Sequence, residues 1–302
     1  MPSDNAGAAA APSKLQTFLK RLLSTVVLWA VVLGALFSGN KVVADLAVLV
    51  VLNVISLFGL LEFCDLTEAA GRRCYRKQTV ALGSVALIAC WIAWFQGGTS
   101  PAASIFLMSL FPGLVLLAAL VHGVFCRDMT TAPTALACST FGFFYVAWTL
   151  LLIQAVYFMT GAQGSWWLLY FILVTKASDM GAYSIGSLIG RHKMIPRLSP
   201  GKTWEGFGGA VIVATLTSLA FAHFAQDKLA GITFVHALVL GLLLSAGAVA
   251  GDLVESLFKR EAGVKDSGRY FPGIGGMLDL VDSLLFNAPI MYAYLVWLMM
   301  SK

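Results

Sequence analysis

The sequence predicts an all-α fold, a polytopic integral membrane bundle of about nine transmembrane helices, and three observations carry that prediction. Of the 302 residues, 59% are hydrophobic and only 12% charged, far from the mix of a soluble globular domain. Apolar runs of about 20 residues, enough to cross a bilayer as helices, recur along almost the whole length and leave no room for a separate soluble domain. Lysines and arginines, finally, fall mostly on one side of the alternating loops between those runs.

Residues 1–13, rich in Ala, Ser and Pro with no apolar period, read as a disordered tail ahead of one membrane domain over 14–302. Lys14, Lys20 and Arg21 precede an apolar run at 22–37 that no A-x-A cleavage pattern follows, so it reads as a signal anchor, helix α1. α2 is expected over 42–61, ending at Glu62, with Arg72, Arg73, Arg76 and Lys77 in the connector. α3 (80–95) and α4 (105–124) flank the uncharged turn QGGTSPAAS, and Arg127 and Asp128 follow α4. α5 covers 135–159. Trp166 and Trp167, an aromatic pair suited to the membrane interface, open α6, which carries Lys176 and Asp179 three residues apart on one face. A polar loop, RHKMIPRLSPGKTWEG, leads to α7 (207–224). α8 (234–258) holds Asp252 and Glu255 in its last turns, and α9 (278–300) begins with Asp279 and Asp282 on one face.

A cytoplasmic N-terminus puts nearly all loop cations on the cytoplasmic side and leaves only Lys41, Lys228 and Lys302 on the other, as the positive-inside rule requires. The net charge of +5 and pI near 9.0 therefore orient the protein in the lipid bilayer. The bases are scattered over short loops without interleaved aromatic residues, so no nucleic acid is expected as a partner. The five cysteines form no C-x-x-C pair, which indicates neither a disulfide framework nor a zinc site, and they read as packing residues. Small residues at Gly206, Gly208 and Gly209 permit a close helix contact, within the chain or in a homodimer.

Charge concentrates where it is costly. Residues 251–282, GDLVESLFKREAGVKDSGRYFPGIGGMLDLVD, hold six acidic and four basic side chains between two apolar segments, which marks a functional site with internal partners. Asp252, Asp279 and Asp282 are hard oxygen donors at two helix ends, the ligand type Mg²⁺ takes when water and phosphate oxygens complete its shell. Lys259, Arg260, Lys265 and Arg269 could bind phosphates not held by metal. In the other loop Lys202, Arg197, Lys193 and Arg191 supply cations, and Ser199, Gly201 and Thr203 let hydroxyl and backbone donors approach an anion. Asp179, several residues inside an apolar helix, needs a partner such as Lys176 or a polar cavity, and is expected beside the nucleotide. Carboxylates, metal and cations together point to phosphoryl or nucleotidyl transfer, in which catalysis is mostly positioning and charge neutralisation.

The stretch S-L-F-K-R-x4-K-D-S-G-x-x-x-P-G-x-G-G-x-x-D-x-x-D, from Ser256 to Asp282, resembles the signature of the phosphatidate cytidylyltransferases, the CDP-diacylglycerol synthases. S-P-G-K-T-W-E-G at Ser199 to Gly206 and D-x-x-A-Y at Asp179 to Tyr183 are similar to a second region of that family. The resemblance implies attack of a phosphatidate oxygen on the α-phosphorus of CTP with Mg²⁺ present, giving CDP-diacylglycerol and diphosphate. It implies Asp252, Asp279 and Asp282 as metal ligands, and Lys265, Asp266 and Asp282 as catalytic residues. Asp179, Ser199, Lys202, Thr203, Lys259 and Arg260 would bind CTP and the lipid phosphate. The implied location is a bacterial inner membrane, with the site facing the cytoplasm. The pattern departs from the family twice, at Ile274, where His is usual, and at Leu280, where Arg is usual. These departures keep two alternatives in view, a CTP-using kinase of a lipid alcohol and a catalytically silent paralogue or transporter.

Overall fold

The computed structural model describes residues 30–97, 100–125, 130–268 and 275–301. The expected tail at 1–13 and most of α1, with Arg127, Asp128, Arg269, Ile274 and Lys302, lie outside them. Among the described residues there are nine helical rods. α1 is described over 30–36, and α2 (Lys41–Ala69), α3 (Arg76–Gly97) and α4 (Pro101–Val124) follow. α5 (Ala132–Met159) contains a π turn over Phe143–Trp148. α6 (Gly164–Ile189), α7 (Trp204–Phe224), α8 (Phe234–Glu261) and α9 (Met277–Met300) complete the chain. Seven of the rods are long and apolar enough to cross a membrane; α6 also has the length, 26 residues, but carries Lys176 and Asp179.

The chain is therefore an integral membrane protein with the predicted helices in the predicted order. The largest difference is in α2, which runs on past Glu62 to Ala69. Its last turns carry Asp65, Thr67 and Glu68, too polar to read as membrane span, yet Glu62 and Cys64 there are fully buried.

Two helices organise the interior. Every residue of α5 from Thr149 to Met159 is buried, making it a central pillar. α9 turns Leu278, Val281, Leu285, Ala288, Met291, Leu295 and Leu298 inward, a three-to-four-residue spacing that draws one apolar stripe along a helix. It packs against α2, α5, α6 and α8. Apolar side chains also face outward: Leu117, Leu120 and Val121 of α4 are more than half exposed, as burial in lipid permits.

α6 and α7 approach backbone to backbone through glycine. A Cβ added at Gly209 would lie 2.6 Å from Ile185 Cβ and 2.7 Å from the Gly181 carbonyl, whereas one at Gly208 would meet nothing within 4 Å. Gly206 also faces α6, 3.3 Å from Gly186 Cα by the same measure, so Gly206 and Gly209 serve a contact within the chain. The polar loop between these helices forms a small hairpin, β1 (Lys193–Ile195) antiparallel to β2 (Ser199–Thr203). Strands this short have no legible period, and S-P-G-K-T lacks the usual strand composition. Cys64 and Cys74 face each other with sulfurs 3.0 Å apart, a pairing across α2 and the following connector.

Gly209→Ala is expected to destabilise the protein by about 1–3 kcal/mol through overpacking. Gly208→Ala is expected to be neutral or to stabilise by up to about 1 kcal/mol through helix propensity. Thermal unfolding of the two purified variants in detergent checks the contrast.

Candidate active site

The hairpin is held by its own sequence. Thr203 caps α7 by accepting the Gly206 N–H at 3.1 Å, and Glu205 in the first turn accepts the backbone N–H groups of Arg191 (3.1 Å) and His192 (3.2 Å). At Gly190 a Cβ would sit 2.2 Å from the Gly186 carbonyl, so glycine alone lets the chain leave α6 and fold back. Between hairpin and helices opens a cleft of about 350 Å³ lined by Asp179, Tyr183, Ser199, Lys202, Thr203 and Asp252, among others. Four residues expected around the nucleotide, Asp179, Ser199, Lys202 and Thr203, thus share one cavity with Asp252.

Acids and ammonium groups meet at the cleft floor. Lys202 Nζ lies 2.8 Å from Asp252 Oδ2 and donates to the Val249 carbonyl at 3.0 Å. The carboxyls of Asp252 and Asp282 are in hydrogen-bonding contact with each other, which joins α8 to α9. Lys176 Nζ reaches Asp179 Oδ2 at 3.0 Å and Ser283 Oγ at 2.9 Å, and Ser283 Oγ donates to Asp179 at 2.9 Å. The Lys176 charge also acts on Asp252 and Asp282. Three carboxylates therefore face two ammonium groups. Two carboxylates in contact repel unless a proton or cation lies between them.

Asp279 has a different set of partners. Its Oδ1 is 2.6 Å from Lys259 Nζ, while Oδ2 accepts the N–H groups of Ser267 (3.0 Å) and Gly276 (2.9 Å) and the Ser267 hydroxyl (3.0 Å). Lys259 also pairs with Glu255 at 2.8 Å. Of the three acids expected to bind metal, Asp252 and Asp282 come together, and Asp279 is engaged in tying the returning loop to the start of α9. Among the described residues no group of three or more His, Cys, Asp or Glu side chains is arranged to hold a metal ion. The Asp252–Asp282 pair still fits Mg²⁺, which is commonly bound through one or two carboxylates plus substrate phosphates. Beside it, the Glu255 carboxyl is in contact with that of Asp279, the Tyr145 hydroxyl is buried without a hydrogen-bond partner, and Tyr145 is close enough to feel the charges of Glu255, Asp282 and Asp252.

The remaining candidates separate. Arg260 Nε donates to the Leu198 carbonyl at 3.1 Å, a strut from α8 to the hairpin. Lys265 and Asp266 are exposed on the segment after α8, and Leu280 is 41% exposed on α9. Glu62, Glu255, Ser267 and Ser283 are participants that sequence reasoning did not single out. The four-residue spacing of Glu255 and Lys259 was a legible signal. Nothing in the sequence links Glu62 to a loop some two hundred positions away.

Lys259→Met, which leaves the buried Glu255 without its cation, is expected to cost about 3–5 kcal/mol, whereas Lys259→Arg keeps a cation and most of the stability. Chemical or thermal unfolding of the two variants distinguishes them.

The chain from residue 19 to 298 matches the model of the cytidylyltransferase family. It is 32% identical over 282 residues to a phosphatidate cytidylyltransferase of Haemophilus influenzae, an alignment covering 89% of this chain and 96% of that one. A phosphatidate cytidylyltransferase of Staphylococcus haemolyticus is 38% identical over 169 residues, 54% of this chain and 64% of that one. The uncharacterized protein YnbB of Escherichia coli is 39% identical over 158 residues, 52% of this chain and 50% of that one.

Proposed function

The chain belongs to the cytidylyltransferase family, and from that premise we propose that it is a CTP-dependent phosphatidate cytidylyltransferase, making CDP-diacylglycerol and diphosphate. The observation that carries the reading is the cleft in which Lys202 of the hairpin meets Asp252 of α8, itself in contact with Asp282 of α9. One cavity thereby offers the Lys202 ammonium and several hydroxyls for a triphosphate and carboxylates for a divalent ion.

An oxygen of the phosphatidate phosphate attacks the α-phosphorus of CTP in line. A new P–O bond forms as the bond to the bridging oxygen breaks, and the electron pair leaves with diphosphate. The attacking oxygen is already ionised at neutral pH, so positioning and charge neutralisation dominate over proton removal. Lys202, held between Asp252 and the Val249 carbonyl, is placed to transfer its charge to phosphate oxygens entering the cleft. Ser199 and Tyr183 on the cleft wall add hydroxyl donors. Asp252 and Asp282 would hold Mg²⁺, which when bound neutralises developing charge on the phosphates. Lys176 and Ser283 keep Asp179 fixed beside this pair. Lys265 and Asp266, exposed after α8, are read as contacts to the incoming substrates.

The basic loops support a cytoplasmic N-terminus and a site facing the cytoplasm of a bacterial inner membrane, where CTP and the lipid headgroup meet. Residues 14–302 act as one membrane domain. Leu280, an apolar side chain where the signature that this stretch resembles has Arg, motivates as second reading a CTP-using kinase of a lipid alcohol.

With CTP, phosphatidate and Mg²⁺ the purified protein is expected to yield CDP-diacylglycerol and diphosphate, and chelation of the metal to abolish the product. Lys202→Met and Asp282→Asn are expected to lower kcat at least about 100-fold. Product analysis decides between the readings, since release of CDP identifies the kinase and no product from any lipid phosphate or alcohol contradicts both.

A further inference from the structure

We propose that Glu62 of α2 is a positioning residue for the metal-binding carboxylates, a role that rests on the cytidylyltransferase reading of the site. Glu62 is fully buried. Its Oε1 accepts the Met277 N–H at 2.8 Å, and its Oε2 accepts the Leu278 N–H at 2.8 Å and the Ser267 hydroxyl at 3.2 Å.

These bonds complete a set. The first N–H groups of a helix have no partner within it. At the start of α9 the Gly276 N–H goes to Asp279 (2.9 Å), those of Met277 and Leu278 go to Glu62, and that of Asp279 goes to Ser267 Oγ (3.3 Å). A carboxylate taking two N–H groups at a helix N-terminus makes charge-assisted bonds that also favour the helix dipole. The cap comes from a different helix, so it sets the height and rotation of α9 against α2. Asp282 lies one turn beyond Leu278, and any slip of the capped turn moves its carboxyl relative to Asp252.

The surroundings leave no slack. A Cβ at Gly268 would lie 2.2 Å from Glu62 Oε1, and one at Gly276 would lie 1.9 Å from Ser267 Oγ and 2.8 Å from Glu62 Oε2. Glu62, Ser267, Asp279 and Lys259 thus form a continuous bonded chain from α2 to α8. Asp45 supplies the comparison. It is an equally buried carboxylate of the same helix, bonded to Lys41 and to the Tyr157 hydroxyl, but it stands about 25 Å away along the axis.

Glu62→Gln keeps the shape but offers one oxygen and one NH₂ where two N–H donors arrive. The test measures the Mg²⁺ concentration giving half the maximal rise in Tm, and separately kcat with CTP and phosphatidate. In Glu62→Gln the Mg²⁺ midpoint is expected to rise about 10–100-fold, with kcat falling in step. Asp45→Asn is expected to lower Tm and leave the midpoint at the wild-type value. Should Glu62→Gln not fold, Ser267→Ala, which removes another member of the cap, carries the same expectation at about tenfold. An unchanged Mg²⁺ midpoint in a folded cap variant overturns the proposal, as does a wild type whose Tm ignores Mg²⁺. A wild type that responds to Mg²⁺ but transfers no cytidylyl group contradicts the reaction alone.

Discussion

Ionised side chains within an apolar bundle must find compensation locally, and this requirement shapes the end of the molecule where α6, α8 and α9 meet. An isolated carboxylate in such surroundings is costly by several kcal/mol. Each acid accordingly sits against a donor: Asp252 against Lys202, Asp179 against Lys176 and Ser283, Asp279 against Lys259 and Ser267, and Glu62 against two backbone N–H groups. These partners come from different helices, so pairing the charges also assembles the fold. Two pairs of acids touch, Glu255 with Asp279 and Asp252 with Asp282; Lys259 bonds to both members of the first, and the second is the pair proposed to take a cation from outside the chain.

The two clusters divide the work. One opens to the cleft and holds Lys202, Asp252, Asp282 and Asp179. The other is closed, with Lys259 bonded to Glu255 and Asp279, and it ties Ser267 to the start of α9. A lysine and an arginine read as phosphate contacts, Lys259 and Arg260, therefore have internal partners in this structure, and Lys202 is the motif lysine that lines the cavity. This division explains how glycines serve a site that must be rigid: Gly268 and Gly276 admit the carboxylate of Glu62, which a side chain would displace.

Much of this was legible because the bilayer imposes a length on every helix. Apolar runs locate α2 to α9 to within about two turns, and the density of charge at residues 251–282 locates the site. Partnership across helices was not legible. Glu62 reads as the polar end of a span, since only the packing of α2 on α9 brings it to Met277 and Leu278. Ser283 reads as one more small residue in α9 until α6 sets Lys176 and Asp179 beside it. Asp279 and Asp282, three residues apart on one face, read as a pair of like function, yet a capping geometry at Gly276 engages the first and leaves the second to meet Asp252. The hairpin escaped for a simpler reason, strands of three and five residues being too short to show alternation.

Asp252 and Asp282 are proposed to share a divalent ion at the floor of the cleft beneath Lys202. Crystals grown with CTP and Mn²⁺, with diffraction data collected at the manganese absorption edge, address it directly. An anomalous peak is expected within about 2.0–2.3 Å of an oxygen from each of the two carboxylates. A peak bound only at Asp279, or full nucleotide density in the cleft without any peak between Asp252 and Asp282, would contradict it.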